Sequence, residues 1–383
     1  MRSSFLLLAS TIACMRSACE AAYVPGAAFD RFFTIWLENQ DDSKVESNAD
    51  IANLTAQGIL LENYYGLTHP SQPNYIASVG GDYFGLNHDD FFLLRLFHDC
   101  STRSILFTTI CTHIPDMLND GHNTSLSYGA NWTRSFLTPL LQNEAFMNNT
   151  LILLTYDESE TYSKPNRIYS VLLGGAVPAD KKGTVDTTIY SHYSILSTVQ
   201  NNWGLPNLGR YDVGANVFDL CASKTNYSNI NLNMTMLNNS LSYPGFLNND
   251  PAKWAPIPVP NLQLKGAGGK GVDDYTHAEW VSAKSENTPY DGSGEFFDGE
   301  ERNPIYAKQG ANVVATATVA QPYSATATPT SSTSTTSTST TSTSGSASAT
   351  KGSGAERSGS SGMGCGKEVL GLWVALVFAI VVL

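Results

Sequence analysis

Five short stretches of this chain carry side chains that could do chemistry together. Glu38-Asn39 and Asp157-Glu158 are adjacent pairs of oxygen donors, each set just after a run that reads as a strand. Ligand sites in open α/β sheets lie beyond the carboxyl ends of strands, so two such pairs could jointly hold a hard divalent cation, whose charge would keep the carboxylates ionised. Taken singly, either pair reads as well as a turn or strand-end capping group. Ser71 stands where a helix is expected to begin, ahead of Pro73, a residue tolerated in a first helical turn. Backbone N–H groups and the helix dipole favour an anion there, so Ser71 suits either a phosphate pocket or a helix cap. Asp120-Gly121-His122 and Ser191-His192-Tyr193-Ser194 add two imidazoles in glycine- or hydroxyl-rich surroundings. A lone histidine is more often a core or surface residue; the joint occurrence with two acidic strand ends is what marks a candidate site.

The elements that must position these residues show as an alternation of short β-rich runs and helical patterns from Ala28 to about Ser223, the signature of an α/β layer fold. Phe32 to Leu37 reads as a buried strand. Ser47 is the expected cap of a helix through Gln57, with Asp50 as its capping-box acid and Gly58 as its stop. Ile59-Leu60-Leu61 forms a short strand, and the next helix is expected just after Ser71, running toward Gly80-Gly81. Trp132, Phe136, Leu137, Leu140 and Leu141 recur at helical spacing, with Pro139 predicting a kink or break. Thr150 to Tyr156 is the clearest strand, Arg167 to Leu173 another, and Tyr193 to Trp203 a helix whose Ile195, Leu196, Val199 and Trp203 face the sheet.

The 383 residues are 42% hydrophobic, which excludes a wholly disordered chain. A net charge of −12, with only 22 Lys and Arg and no basic run, removes the electrostatic footprint of nucleic-acid binding. Residues 1–21 have the layout of a secretory signal. The apolar tail Val369 to Leu383, preceded by small residues from Ser358 to Gly362, has that of a GPI attachment signal, so a membrane is expected as partner only through that anchor, at the cell surface or wall. Seven N-x-[ST] sequons, at Asn53, Asn123, Asn131, Asn148, Asn226, Asn233 and Asn238, predict a glycoprotein. The expected organisation is a catalytic domain over 28–250, an irregular extension over 251–321, a disordered Ser/Thr-rich stalk over 322–361 and the anchor signal over 362–383. Gly266 to Gly271 lacks the GK[ST] ending of a phosphate loop and reads as plain loop, and the acidic stretch Asp273 to Glu301 reads as solvated surface.

Taken in order, Leu37-Glu38-Asn39, Asn63 to Tyr75 with its T-H-P-S-Q-P-N-Y string, Asn119 to Ser125, Leu153 to Glu158, and Tyr190 to Ser194 with Asn202-Trp203-Gly204-Leu205 resemble the secreted fungal acid phosphatases. These belong to the phosphoesterase family that also holds bacterial phospholipases C. The resemblance spans roughly Phe29 to Asn229 and implies a three-layer α/β/α, alkaline-phosphatase-like fold. It implies one divalent metal ion held by Glu38, Asn39, Asp157 and Glu158 and touched by Ser71, the nucleophile. His122 and His192 match the histidines around the phosphoryl group, and His69, Asn74 and Asp120 match residues on the substrate side. The implied reaction is hydrolysis of phosphate monoesters through a phosphoserine, with a phospholipase C-like diesterase or an inactive glycosylated wall paralogue as alternatives. Where relatives commonly have two aspartates, this chain has Asp157-Glu158. Residues 89–113 depart from the family altogether, and its K-H-N-P-like motif is absent, so a missing insert or a shortened paralogue is expected there.

Overall fold

A computed structural model describes residues 24–89, 110–232, 239–253, 257–282, 288–294 and 380–382. Strand β1 (Arg31–Leu37) and strand β4 (Thr150–Tyr156) are apolar almost throughout, as strands covered on both faces must be. They pair in parallel from Arg31 with Thr150 to Leu37 with Tyr156. Around them the sheet runs β6 (Thr184–Ser191), β2 (Ile59–Tyr65), β5 (Ser170–Leu173), β4, β1, β3 (Ile110–Ile114), then the three-residue β7 (Ile380–Val382). Strand β5 is antiparallel to both neighbours, whereas β1, β3, β4, β2 and β6 share one direction. Their carboxyl ends therefore lie along one edge.

Helices α1 (Asp42–Glu46) and α2 (Ala49–Thr55) lead from β1 to β2. Helix α3 (Ser71–Gly80) leaves β2 in the direction of β3, on the far side of β1, and α4 (Leu126–Leu141) with α5 (Glu144–Met147) returns to β4. Because parallel crossovers are right-handed, the reversal of direction puts α3 on the opposite face of the sheet from α1, α2 and α4. The packing agrees: α3 meets α6 (Tyr193–Trp203), which meets α7 (Asp219–Thr225), while α2 meets α4. Helices thus flank both faces of a mixed sheet. Phe29, Phe32, Ile35, Leu151, Ile152, Val171 and Ile195 are fully buried between the layers.

Three local expectations are corrected. Asn48, not Ser47, caps the second of two short helices, its side chain accepting from the backbone N–H groups of Asp50 and Ile51. Ser47 instead closes α1 and bonds back to the Lys44 carbonyl. Pro139 does not break its helix, because α4 ends two residues later and the proline lies in its last turn. The acidic stretch after Asp273 is not wholly solvated: Asp273 caps α8 (Asp274–Trp280), and Tyr290 is buried against Arg210. Strands β3 and β6 were not legible: β3 is only five residues long and sets Cys111 and His113 between its isoleucines and Thr112, and β6, which alternates polar and β-branched residues, lacks a continuous apolar run. Gly266 to Gly271 is a turn, as its sequence suggests. Cys111 is exposed, Cys221 is buried, and both are free thiols. Among the described residues no helix is long and apolar enough to cross a membrane. The expected signal, stalk and most of the anchor tail lie outside the described residues.

Candidate active site

The parallel register that ends at Leu37 and Tyr156 sets Glu38 beside Asp157. The Asp157 N–H donates to the Leu37 carbonyl at 3.1 Å, and the Glu38 N–H donates to the carbonyl of Asp120 at 3.1 Å, which ties the Asp120-Gly121-His122 loop to the same edge. Asn39 then turns with φ of 53°, a left-handed conformation that asparagine tolerates, and its N–H donates to Asp157 Oδ1 at 3.2 Å. Strand β2 delivers the chain to Ser71, the first residue of α3, capped by Pro70 without any side-chain hydrogen bond. The Ser71 hydroxyl lies 3.1 Å from Glu158 Oε1 and 3.3 Å from Asn39 Oδ1. One helix N-terminus and two strand ends are thus joined through a single hydroxyl.

Glu38, Asp120, Asp157 and Glu158 are all buried. Among the described residues no Lys or Arg ion-pairs with any of them. Burial, and then Asp120, pushes the Glu38 carboxyl up to about 7. Burial pushes Glu158 up to about 8, and burial followed by the charges of Glu38 and Glu158 raises Asp157 well above the carboxylate range. Asp120 is raised by burial as well. Unpaired buried carboxylates cost free energy unless they are protonated or meet a cation. Asp120 Oδ2 and Asp157 Oδ2 are buried with no hydrogen-bond partner, and Glu158 Oε2 has only the His69 imidazole against it. Among the described residues no group of three or more His, Cys, Asp or Glu side chains is gathered closely enough to hold an ion by itself. The donor set that converges therefore includes the neutral oxygens of Asn39 and Ser71, hard ligands suited to a divalent cation.

The remaining expected residues divide. His122 is exposed at the edge of the site, its N–H donating to Asp120 Oδ1 at 2.8 Å and its Nδ1 facing Asn123 Oδ1 at 3.0 Å. His192 is placed differently. Its ring is completely buried, 4.9 Å between centroids from Trp36, and its Nε2 donates to the backbone carbonyl of Asp157 at 2.7 Å. Burial holds it down to about 4, neutral over the whole working range of a histidine acid. Its geometry is that of a brace on the end of β4. His69 is likewise buried and lowered to about 4, stacked under Tyr162 with centroids 3.8 Å apart. Asn74 is buried and spends its amide on the loop before Ser71: Oδ1 accepts from Leu67 and Thr68, and Nδ2 donates to the carbonyls of Thr68 and Pro70. It shapes the loop before Ser71 from beneath.

Three participants escaped sequence reasoning. Tyr75 donates to Glu38 Oε1 at 2.9 Å. It lies four residues after Ser71 on α3, hence on the same helical face, a spacing that could have marked it. Asn166 accepts from the Ser159 N–H and donates to the Thr68 carbonyl, tying the loop after β4 to the loop before α3 across 98 residues. Asp89 accepts from the Gln72 N–H at the start of α3. Neither Asn166 nor Asp89 carries a local signal.

Comparison with known proteins adds a second line of observation. The chain matches the Phosphoesterase family over residues 109–206. It is 35% identical over 366 residues to an acid phosphatase of Aspergillus fumigatus, covering 75% of this chain and 82% of that relative. It is 36% identical over 321 residues to a phosphate-repressible acid phosphatase of Penicillium chrysogenum, covering 65% and 77%. A phosphatidylinositol-3-phosphatase of Mycobacterium tuberculosis is 26% identical over 268 residues, covering 53% and 88%. Among solved structures, a protein in the alkaline phosphatase superfamily from Vibrio parahaemolyticus aligns with 8% identity and a TM-score of 0.33, covering 46% of this chain and 67% of that one.

Proposed function

This chain belongs to the phosphoesterase family and is a phosphoric ester hydrolase of the acid phosphatase kind, and on that premise we propose that it cleaves phosphate monoesters with Ser71 as nucleophile. The observation that carries the reading is the Ser71 hydroxyl, held at a helix N-terminus 3.1 Å from a buried carboxylate and 3.3 Å from Asn39. A helix start is a favourable seat for the negative phosphoryl group. Ser71 Oγ forms the new bond to phosphorus and passes its proton to Glu158, the carboxylate it already faces. His122, the one expected imidazole that is open to solvent here, protonates the departing alkoxide as the P–O bond breaks. Water then cleaves the phosphoserine, giving a proton to His122, while Glu158 returns its proton to the Ser71 oxygen as the P–O bond breaks. His192, Asn74 and Tyr75 hold these groups in place, and Asp120 and His69 line the site behind them.

Glu38, Asn39, Asp157 and Glu158, with Ser71, would hold one divalent cation; the unpartnered Asp157 Oδ2 fits it. When bound, that ion supplies the positive charge that keeps the carboxylates ionised and offsets charge on the phosphoryl group. It also accounts for a phosphate site in a chain of net charge −12. We further infer a secreted, glycosylated, GPI-anchored protein from the sequence signals at its two ends. All five sequon asparagines among the described residues, Asn53, Asn123, Asn131, Asn148 and Asn226, are exposed, which supports glycosylation. The test of the enzyme reading is hydrolysis of p-nitrophenyl phosphate near pH 5, with and without chelator, on the wild type and Ser71→Ala. Loss in the variant is expected; equal activity would overturn the mechanism. Turnover of bis-p-nitrophenyl phosphate exceeding that of the monoester would favour the diesterase.

A further inference from the structure

We propose that Asn123 is a positioning residue that fixes the working tautomer of His122 and thereby the upper pH limit of the enzyme. The inference rests on the reading of His122 as leaving-group acid. Asn123 Oδ1 lies 3.0 Å from His122 Nδ1. An amide oxygen only accepts, so Nδ1 must carry the hydrogen in the neutral ring, and Nε2 is left as the nitrogen that gains and loses a proton. The protonated ring gives its Nε2 proton to the departing alkoxide. The neutral ring that remains keeps Nδ1–H on Asn123 and presents a bare Nε2, ready to take a proton from the water that attacks the phosphoserine. One orientation thus serves both half-reactions, and the proton count closes over the cycle.

The backbone holds this pair in place. The His122 N–H is bonded to Asp120 Oδ1, the Asn123 N–H to the Met117 carbonyl, and the Thr124 hydroxyl to the Leu118 carbonyl. Ser125 then caps α4 through the Tyr128 N–H. The charged groups acting on the His122 ring are Asp120 in its own loop, Glu38 at the end of β1 and Glu158 at the end of β4. All three are acids. A carboxylate at position 123 would add a fourth negative group, in direct contact with Nδ1–H, and hold the second proton on the ring to higher pH. A neutral amide orients the ring without that pull, which suits an enzyme that works on the acid side.

The experiment measures kcat/KM against pH for wild type, Asn123→Asp and Asn123→Ala, with p-nitrophenyl phosphate and with an alkyl phosphate whose leaving group needs a proton. Asn123→Asp should move the alkaline limb upward by about half to one pH unit. Asn123→Ala should lower turnover of the alkyl ester roughly tenfold and of the nitrophenyl ester far less, because a good leaving group needs little acid help. Asn123 also begins a sequon, so Ser125→Gly, which removes the sequon, keeps the amide and leaves a residue tolerated as a helix cap, should leave the limb where it is. An unmoved limb in Asn123→Asp, or equal losses on both esters in Asn123→Ala, would overturn the proposal. His122→Asn separates the two levels: if it spares the alkyl ester, the reading of His122 itself fails; if it is selectively damaging while Asn123→Asp is silent, only the role of Asn123 fails.

Discussion

Two clusters of buried acids in this molecule are built on opposite principles. At the C-terminal end of α3, Asp82 accepts from the Tyr290 hydroxyl at 2.5 Å, and Arg210 donates to that same hydroxyl at 2.6 Å and to the Pro258 carbonyl at 3.1 Å. The guanidinium lies over the rings of Phe84 and Tyr290, and Asp212 accepts from Gln200, Leu208 and Arg210. Burial still raises both acids, but a phenol, backbone amides and Arg210 pull the other way. At the N-terminal end of the same helix, Glu38, Asp157 and Glu158 are buried without a Lys or Arg. For Glu38 and Asp157 the next influence after burial is another carboxylate, which pushes further up. One cluster is finished by the protein's own cation. The other is left short of positive charge, as the proposed site for a cation and a phosphoryl group would need.

The contrast is broken most severely by substitutions at the helix start and the strand ends. Ser71→Ala and Asp157→Asn should each lower phosphatase turnover by roughly a thousandfold or more, read from kcat on p-nitrophenyl phosphate. Asp157→Asn should at the same time raise the denaturation midpoint of metal-stripped protein, because it removes a buried charge that nothing compensates. Removing Arg210 should do the reverse. Arg210→Met leaves Asp82 buried without its cation and should cost about 3–5 kcal/mol in urea unfolding, with no selective effect on chemistry in whatever fraction stays folded.

The pH dependence of stability sharpens the same contrast. Glu38 and Glu158 are raised from about 4.5 to about 7 and about 8, so the stability they lend metal-stripped protein is full below about 4.5 and lost as pH rises through 7 and 8. His192 is lowered from 6.5 to about 4, so its contribution is full above 6.5 and lost as pH falls through 4. On these groups metal-stripped protein should be most stable near pH 4.5, and the loss on the alkaline side, where two carboxylates give up protons, should exceed the loss on the acid side. Divalent cation should remove most of the loss above pH 4.5, and His192→Gln the loss as pH falls from 6.5 toward 4. The smallest expected effect is at Asn166: Asn166→Ala should cost about 1–3 kcal/mol by stranding the Ser159 N–H and the Thr68 carbonyl. An alkaline limb unchanged by metal would undo the comparison at its root.

Much of the site was readable along the chain because its chemistry sits in short contiguous strings. Glu38-Asn39 and Asp157-Glu158 directly follow the two strands with the plainest apolar patterns, and Ser71 opens a helix whose end at Gly80-Gly81 the glycines mark. His122 sits in a glycine turn whose positive φ at Gly121, 98°, suits that residue. What failed was the division of labour among similar residues. His192 and His122 are both histidines in small, polar surroundings, yet one is sealed against Trp36 and Asp157 while the other meets solvent. Asn74, which the resemblance sets on the substrate side, has its amide consumed by four backbone groups. Burial depends on what arrives from elsewhere in the chain, and no local spacing reports it.

By itself the sequence determined the strand ends, the helix start and the inventory of oxygen and imidazole groups, since each follows from periodicity, turn chemistry and residue type over fewer than about fifteen positions. The tertiary structure decided which of these groups face one another and which cluster goes without a cation. Parallel register set Glu38 beside Asp157 across 119 residues, and a right-handed crossover carried Ser71 to the same edge. Arg210 reached Asp82 only because the chain beyond Pro258 folds back to supply Tyr290. Electrostatics acts through space, so whether a buried acid is satisfied or left waiting is a property of the fold.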